Sequence, residues 1–303
     1  MKEEIKPKVS VIIVNYNSSA LINNCIESIF RLTSDINFEI VIVDNATECL
    51  SDVITYSDQS NVKLLQLSDN IGFGRANNAG VEIAEGDYLF FLNPDTLLLN
   101  NAIKILADFL DVNPACAVCG GNLFDIYGSP AFSFRRIAPG ILFDINELLH
   151  HIPTKLIYGE NQIFNYSDKP MNVFYISGAD LMIRKNIFKD LGGFSSEFFM
   201  YYEETDLCKR IHNLKMCVCS VPEARIMHIE SGCFDNRIND RRIKMIEHGR
   251  IIFYNRNLSY CQREVANALY KLFLRSRICF VRHPLKKEHY RRRLEYFNIL
   301  LRK

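Results

Sequence analysis

The chain has 303 residues, 48% of them hydrophobic, and a formal net charge of +1. That length suits one large domain or one domain with an extension, and that apolar content excludes a disordered chain. The near-zero charge excludes nucleic-acid binding by the chain as a whole, but it hides an asymmetry: residues 271–303 hold eleven Lys or Arg against two Glu, a local +9, so the body is acidic by a similar amount.

The amino terminus, MKEEIKPK, has no apolar core of the kind a signal peptide needs, and no run approaches the roughly 18 apolar residues of a membrane span. The expected compartment is therefore the cytoplasm, with the ten cysteines reduced. Cys116-x-x-Cys119 and Cys217-x-Cys219 lie in strand-like runs. Core packing is the expectation for them; half a zinc site is the alternative, lacking a second well-spaced pair with His.

VSVIIVNY (9–16) reads as a strand buried on both faces. Leu21, Ile22, Cys25, Ile26, Ile29 and Phe30 then recur at helical spacing behind a cap at Ser18 or Ser19. FEIVIVDN (38–45) and VKLLQL (62–67) are the next strands, followed by a helix over 74–84 and strand DYLFFLN (87–93). Another amphipathic helix covers 100–110 and ends at Asn113-Pro114. Strands alternating with helices predict an α/β, doubly wound, mostly parallel sheet.

Residues 121–170 carry four prolines and no clear period, and read as an irregular or short-helical insertion. Strands resume at 172–177 and 180–184, with a short helix to Leu191 and a break at Gly192-Gly193. A helix around 203–214, a strand MCVCSV and a second run ARIMHI complete the core, and from Arg237 the pattern is helical and basic. The domain division expected is 1–236 and a helical, basic extension over 237–303.

Three polar clusters follow buried strands: Asn15-Tyr16-Asn17, Asp44-Asn45 and Asn93-Pro94-Asp95-Thr96. In a parallel sheet such residues converge on one edge, where ligands bind. Asn and Asp also serve as turn and cap residues, which is the plainer reading of any one cluster. Glu203, Glu204 and Asp206 place three carboxylates in four positions, either as proton acceptors or as a solvated acidic turn. If the helix begins near Thr205, Asp206 lies in its first turn and Glu203 and Glu204 precede it.

The stretches VSVIIVNYNS, FEIVIVDNAT, DNIGFGRANNAG, DYLFFLNPDT, SGADLMIRKNIFKDLGGFSSEFFMYYEETDLCKR and ARIMH together resemble glycosyltransferase family 2. The likeness is to the branch with rhamnosyltransferases of bacterial surface polysaccharides, and it covers roughly 8–234. It implies a GT-A-type fold and an inverting transfer from a nucleoside-diphosphate sugar (dTDP-, UDP- or GDP-linked) to a glycan or lipid-linked acceptor. By resemblance, Tyr16 stacks on the nucleobase and Asp44 bonds the base or ribose. Asn70, Gly72, Phe73 and Asn78 shape the donor pocket.

LNPDT stands where the family has a metal-binding Asp-x-Asp. Asn93 takes the first Asp position and Asp95 the last, leaving Asp95 as the principal carboxylate for Mg²⁺ or Mn²⁺. His228 matches a family His that ligates the metal or touches the pyrophosphate; a lone His after an apolar run is otherwise structural. The family's general base is the Asp of Glu-Asp, and Glu204 fills that position here. Arg75 can meet a phosphate or stand as a solvated helix residue. Gly72-x-Gly74 is only a fragment of a dinucleotide fingerprint.

The rivals are a nucleotidyltransferase, whose Gly-rich phosphate loop VNYNSS does not supply, and a nucleotide- or glycan-binding module with a decayed site. For the basic tail the readings are an anionic membrane surface, an extension docked on the catalytic domain and, more weakly, RNA.

Overall fold

The structure, a computed structural model, describes residues 7–47, 59–229 and 239–302. Its first half runs β1 (Val9–Asn15), α1 (Ser19–Leu32), β2 (Phe38–Asp44), β3 (Val62–Gln66), α2 (Phe73–Ile83), β4 (Tyr88–Leu92), β5 (Thr96–Leu98), α3 (Ala102–Val112) and β6 (Cys116–Phe124). It continues through β7 (Phe134–Arg135), α4 (Ile141–Leu148), α5 (Ile152–Tyr158), β8 (Met171–Asn172), β9 (Tyr175–Ile176), β10 (Asp180–Arg184), α6 (Lys185–Asp190), α7 (Glu203–Asn213) and β11 (Cys217–His228). Three helices close the chain: α8 (Asp240–Asn257), α9 (Tyr260–Phe280) and α10 (Pro284–Leu300).

All seven residues of β1 are buried. Val9, Val11 and Ile13 join the core under α1 and α3, whereas Ile12 and Val14 join the one under α2 and α7. Successive side chains thus enter opposite layers, which is why the strand shows no apolar–polar alternation. The sheet order is β3-β2-β1-β4-β10-β6-β11-β5, with β8 on β11. β3, β2, β1 and β4 are mutually parallel, and β10 runs antiparallel between β4 and β6. β11 lies parallel to β6, so the carboxyl ends of β1, β2, β4, β6 and β11 share one edge with the start of β10.

Several elements differ from the sequence expectation. Thr96–Leu98 forms a short edge strand against β11. The run 172–177 splits into β8 and β9, which pair with β11 and β7 respectively. The two runs at 216–229 are one strand, β11, which carries Pro222 through a register shift between Ser220 and Arg225. A proline survives there because the irregularity removes the need for its missing N–H. Ser18 sits at the cap of α1, but its hydroxyl donates to the Tyr16 carbonyl (3.2 Å) instead of accepting from the helix. The eight described cysteines are free, and Cys116, Cys119 and Cys219 are buried in the sheet core.

The closing helices are tied to the insertion by a buried ionic network. Arg250 of α8 donates both terminal nitrogens to Asp144 of α4 (3.0 Å each), and the Tyr254 hydroxyl reaches the same carboxylate at 3.2 Å. The rings of Tyr254 and Tyr270 lie 3.9 and 4.0 Å from the guanidinium carbon. Glu247 accepts from the Tyr270 hydroxyl (2.7 Å) and from Arg293 of α10 (2.6 Å). Burial of Phe273, Leu274 and Phe297 completes the contact. Phe273 and Leu274, two of the apolar residues of the basic tail, are therefore docked on the body of the protein, whereas Phe280 is exposed.

Candidate active site

Asn15 and Asp44 are register partners at the ends of β1 and β2. Asn15 Nδ2 donates to Asp44 Oδ1 (3.1 Å) and to Thr47 Oγ1 (2.9 Å), and the Thr47 amide reaches Asp44 Oδ2 at 3.3 Å. Asp44 is thus fixed in orientation, and the exposed Tyr16 directly follows its partner Asn15. Asn45 Nδ2 donates to Asn70 Oδ1 (3.0 Å), and Asn45 Oδ1 accepts from the Ile71 amide (3.0 Å). These bonds set the loop that enters α2. Gly72 there has φ +91°, and a Cβ on it would lie 2.4 Å from the Phe199 carbonyl. That carbonyl accepts from the Phe73 amide at 2.8 Å. Only glycine meets both demands.

Asn78 and Arg75, expected at the donor pocket, are brought to the 194–199 loop. Asn78 bonds both the amide (2.9 Å) and carbonyl (2.8 Å) of Phe194, and Arg75 Nε donates to the Ser196 carbonyl (2.9 Å). Both side chains hold that loop against α2.

Asn93 follows β4 in a tight turn, its carbonyl accepting from Thr96 Oγ1 (2.7 Å) and its amide donating to Ala179 (3.0 Å). Because β5 pairs His228 with Thr96, β11 delivers the imidazole to the same turn. His228 Nε2 lies 3.2 Å from Asp95 Oδ2 and 3.4 Å from the Asn93 amide. Two ligands in an octahedral shell of about 2.1 Å stand about 3 Å apart, so Asp95 and His228 suit adjacent positions on one cation. An amide rotation brings the Asn93 oxygen to the same place. No group of three His, Cys, Asp or Glu side chains able to hold an ion occurs among the described residues. By its chemistry, a carboxylate with an imidazole can hold a divalent ion of the Mg²⁺ or Mn²⁺ type only together with oxygen ligands from elsewhere.

The helix expected around 203–214 is present, and it starts at Glu203, not near Thr205. Glu203, Glu204 and Asp206 therefore all occupy the first turn of α7. The cause lies in Tyr201 and Tyr202, both left-handed at φ 71° and 74°. Such a conformation costs about 1–3 kcal/mol per residue and persists only where packing imposes it. α8 imposes it: a Cβ on Gly249 would lie 2.9 Å from the Tyr201 carbonyl, and the Tyr202 ring packs on Phe253 with centroids 5.7 Å apart. Nothing in YY predicts positive φ; the one sequence signal is a glycine inside an otherwise regular helix.

Asp206 is ion-paired to Arg210 (2.8 Å), which also donates to the carbonyls of Leu191 and Gly193 (2.8 Å each). It holds the Gly-Gly break in place. Glu203 is 3% exposed, faces Gly74 of α2, and its Oε2 has no hydrogen-bond partner among the described residues. Burial, with the Glu204 charge beside it, pushes its carboxyl up to about 8. Glu204 is half-buried, accepts from Thr205 Oγ1 (3.1 Å) and passes Gly178 at the start of β10. Burial raises its carboxyl as well. The pair lies between the start of α2 and the segment that enters β10, with no cation bonded to either carboxylate among the contacts described.

The model of glycosyl transferase family 2 matches residues 10–192, and the chain belongs to that family. Its sheet and flanking helices are those of the GT-A glycosyltransferases. It is 24% identical over 233 residues to N-acetylglucosaminyl-diphospho-decaprenol L-rhamnosyltransferase of Mycobacterium tuberculosis, covering 72% of this chain and 75% of that protein. The fold is similar to TarS 1-349 of S. aureus in complex with UDP, with TM-score 0.53, 20% identity, and 91% of this chain and 73% of that one covered. It is also similar to the mannosyltransferase PcManGT of Pyrobaculum calidifontis in complex with GDP-Man and Mn²⁺, with TM-score 0.57, 13% identity, and 98% and 86% covered.

Proposed function

We propose that the chain is an inverting glycosyltransferase that moves a sugar from a nucleoside diphosphate to a glycan or lipid-linked acceptor at the cytoplasmic face of a membrane. The observation that carries this reading is the unneutralised Glu203–Glu204 pair on the same sheet edge as Asp95 and His228. The family supports sugar transfer, and the neighbours that bind UDP and GDP-Man support a nucleotide-linked donor. Rhamnose is the sugar favoured by the name of the mycobacterial relative. Residues 1–236 are read as the catalytic unit and 237–303 as its extension. No described helix is long and apolar enough to cross a membrane, so the attachment proposed is peripheral.

In this reading Tyr16 stacks on the base and Asp44, steadied by Asn15, bonds the base or ribose. Asn70, Gly72 and Phe73 line the donor side. Glu204 accepts the acceptor hydroxyl proton as that oxygen attacks the anomeric carbon, and the bond to the diphosphate breaks on the opposite face, inverting the centre. Asp95 and His228, with the Asn93 oxygen, would hold a divalent ion, which supplies charge neutralisation to the departing diphosphate. Glu203, protonated, keeps a second negative charge away from Glu204.

A panel of nucleotide sugars with Mg²⁺ or Mn²⁺ tests the reading through release of nucleoside diphosphate and the anomeric configuration of the product. A retained configuration, or no turnover of any donor, sinks it; nucleotide binding without turnover leaves a binding module. Asp95→Asn should remove metal-dependent nucleotide binding while the fold survives. Calorimetry of UDP or dTDP with Mn²⁺ checks this, and unchanged affinity would take Asp95 out of the metal site.

A further inference from the structure

We infer that the α4–α5 hairpin and the last turn of α9 form one face that seats on an anionic lipid surface. The inference rests on the membrane reading above and names the surface that makes the contact. α5 is IPTKLIY, and of its residues only Thr154 is buried. Ile152 is 57%, Leu156 82% and Ile157 70% exposed. Ile152 and Leu156 are four apart on a helix and so lie on one side. Single exposed apolar residues are ordinary, but a contiguous group marks a contact surface.

α9 reaches the same corner. Arg277 Nη1 lies 2.9 Å from His150 Nδ1 in the turn between α4 and α5. Phe280, 80% exposed, follows Arg277 by three residues and projects one turn further along that side. Exposed Lys155, Arg275 and Arg282 stand near these residues in the chain, in or beside a basic stretch (271–303, net +9) of which Arg293 is bonded inside the network at Glu247. Large apolar side chains set among Lys and Arg are the composition of an interfacial contact: the apolar tips enter the acyl boundary and the cations meet lipid phosphates. The charge also decides the occupant. A second copy placed symmetrically on this face would bring the same basic stretch against itself, whereas an anionic bilayer complements it.

The experiment is co-sedimentation of the full chain with vesicles of phosphatidylcholine alone and of phosphatidylcholine with phosphatidylserine, with nucleotide-sugar hydrolysis read on the same samples. Wild type should bind the anionic vesicles, less so as salt screens charge beyond about 8 Å. Leu156→Ser with Ile157→Ser should weaken binding at least about tenfold, and Arg282→Glu should weaken it and flatten its salt dependence. Hydrolysis in solution should be unchanged in both, which shows that they fold. Variants that bind like wild type would overturn the surface assignment but leave the membrane reading. Wild type that binds no vesicle, or binds RNA instead, would overturn both. Concentration-dependent dimerisation lost in the Leu156/Ile157 variant would assign the face to a second copy.

Discussion

α8 stands between two groups of buried carboxylates that are treated in opposite ways. On one side Asp144 and Glu247 have every oxygen bonded, to Arg250, Tyr254, Tyr270 and Arg293, and two guanidinium groups match two carboxylates. On the other side Glu203 and Glu204 share a helix turn with no such cation among the described contacts; burial raises both, as it does Asp144, so the difference between the two sides lies in the partners. A buried charge that only joins helices must be compensated, since its desolvation is too large to leave open. A carboxylate left uncompensated at a sheet edge stores that same cost as basicity, which suits a group that must take up a proton at neutral pH.

The comparison breaks most sharply at Glu204. Glu204→Gln should lower kcat by about 10²–10⁴-fold with donor affinity little changed, and Glu204→Asp should retain more activity. Near-wild-type turnover in the Gln variant, with loss in Glu203→Gln, would transfer the base to its neighbour. On the compensated side, Asp144→Asn should cost about 3–5 kcal/mol of stability, because it leaves Arg250 buried without its charge partner. Urea unfolding reads this, and a loss below about 1 kcal/mol would mean that water already reaches the pair.

The smallest effect concerns Glu203 and has a definite sign. Between the ordinary glutamate value of about 4.3 and its folded value of about 8, the unfolded chain releases a proton that the folded one keeps. Stability from this group is full below the lower value and falls as pH rises to the upper. Glu203→Gln removes that loss. It should raise stability at pH 8 by on the order of a few kcal/mol, with little gain at pH 5. Equal gains at both pH values would show that Glu203 is not held protonated.

How far the sequence carried this picture varies by region. β1, β2 and β4 were legible because both faces are buried, so apolar runs mark them directly, and the polar residues behind them mark the edge. β5 was not, since three residues carry no period and the strand exists only because β11 offers an edge. MCVCSV and ARIMHI read as two runs, and the bulge of β11 joins them across Pro222. At the site, residue types pointed to Asp44, Asp95 and the acidic motif. The placements of Arg75 and Asn78 depend on the 194–199 loop folding back onto α2, a long-range contact with no local signature. The helix around 203–214 was legible, but the left-handed turn at Tyr201 and Tyr202 that sets its first residue was not, because tertiary packing alone imposes it.

The contact at Gly249 bears on modularity. The turn that aims Glu203 and Glu204 leans on α8, whose residues come some forty positions later in the chain. The closing helices are therefore not a cassette that can be traded between relatives to change where the protein sits or what it glycosylates. A chimera joined ahead of α8 would inherit a new backing for the Tyr201–Tyr202 turn, and any side chain larger than glycine there would re-aim the carboxylates before it touched an acceptor.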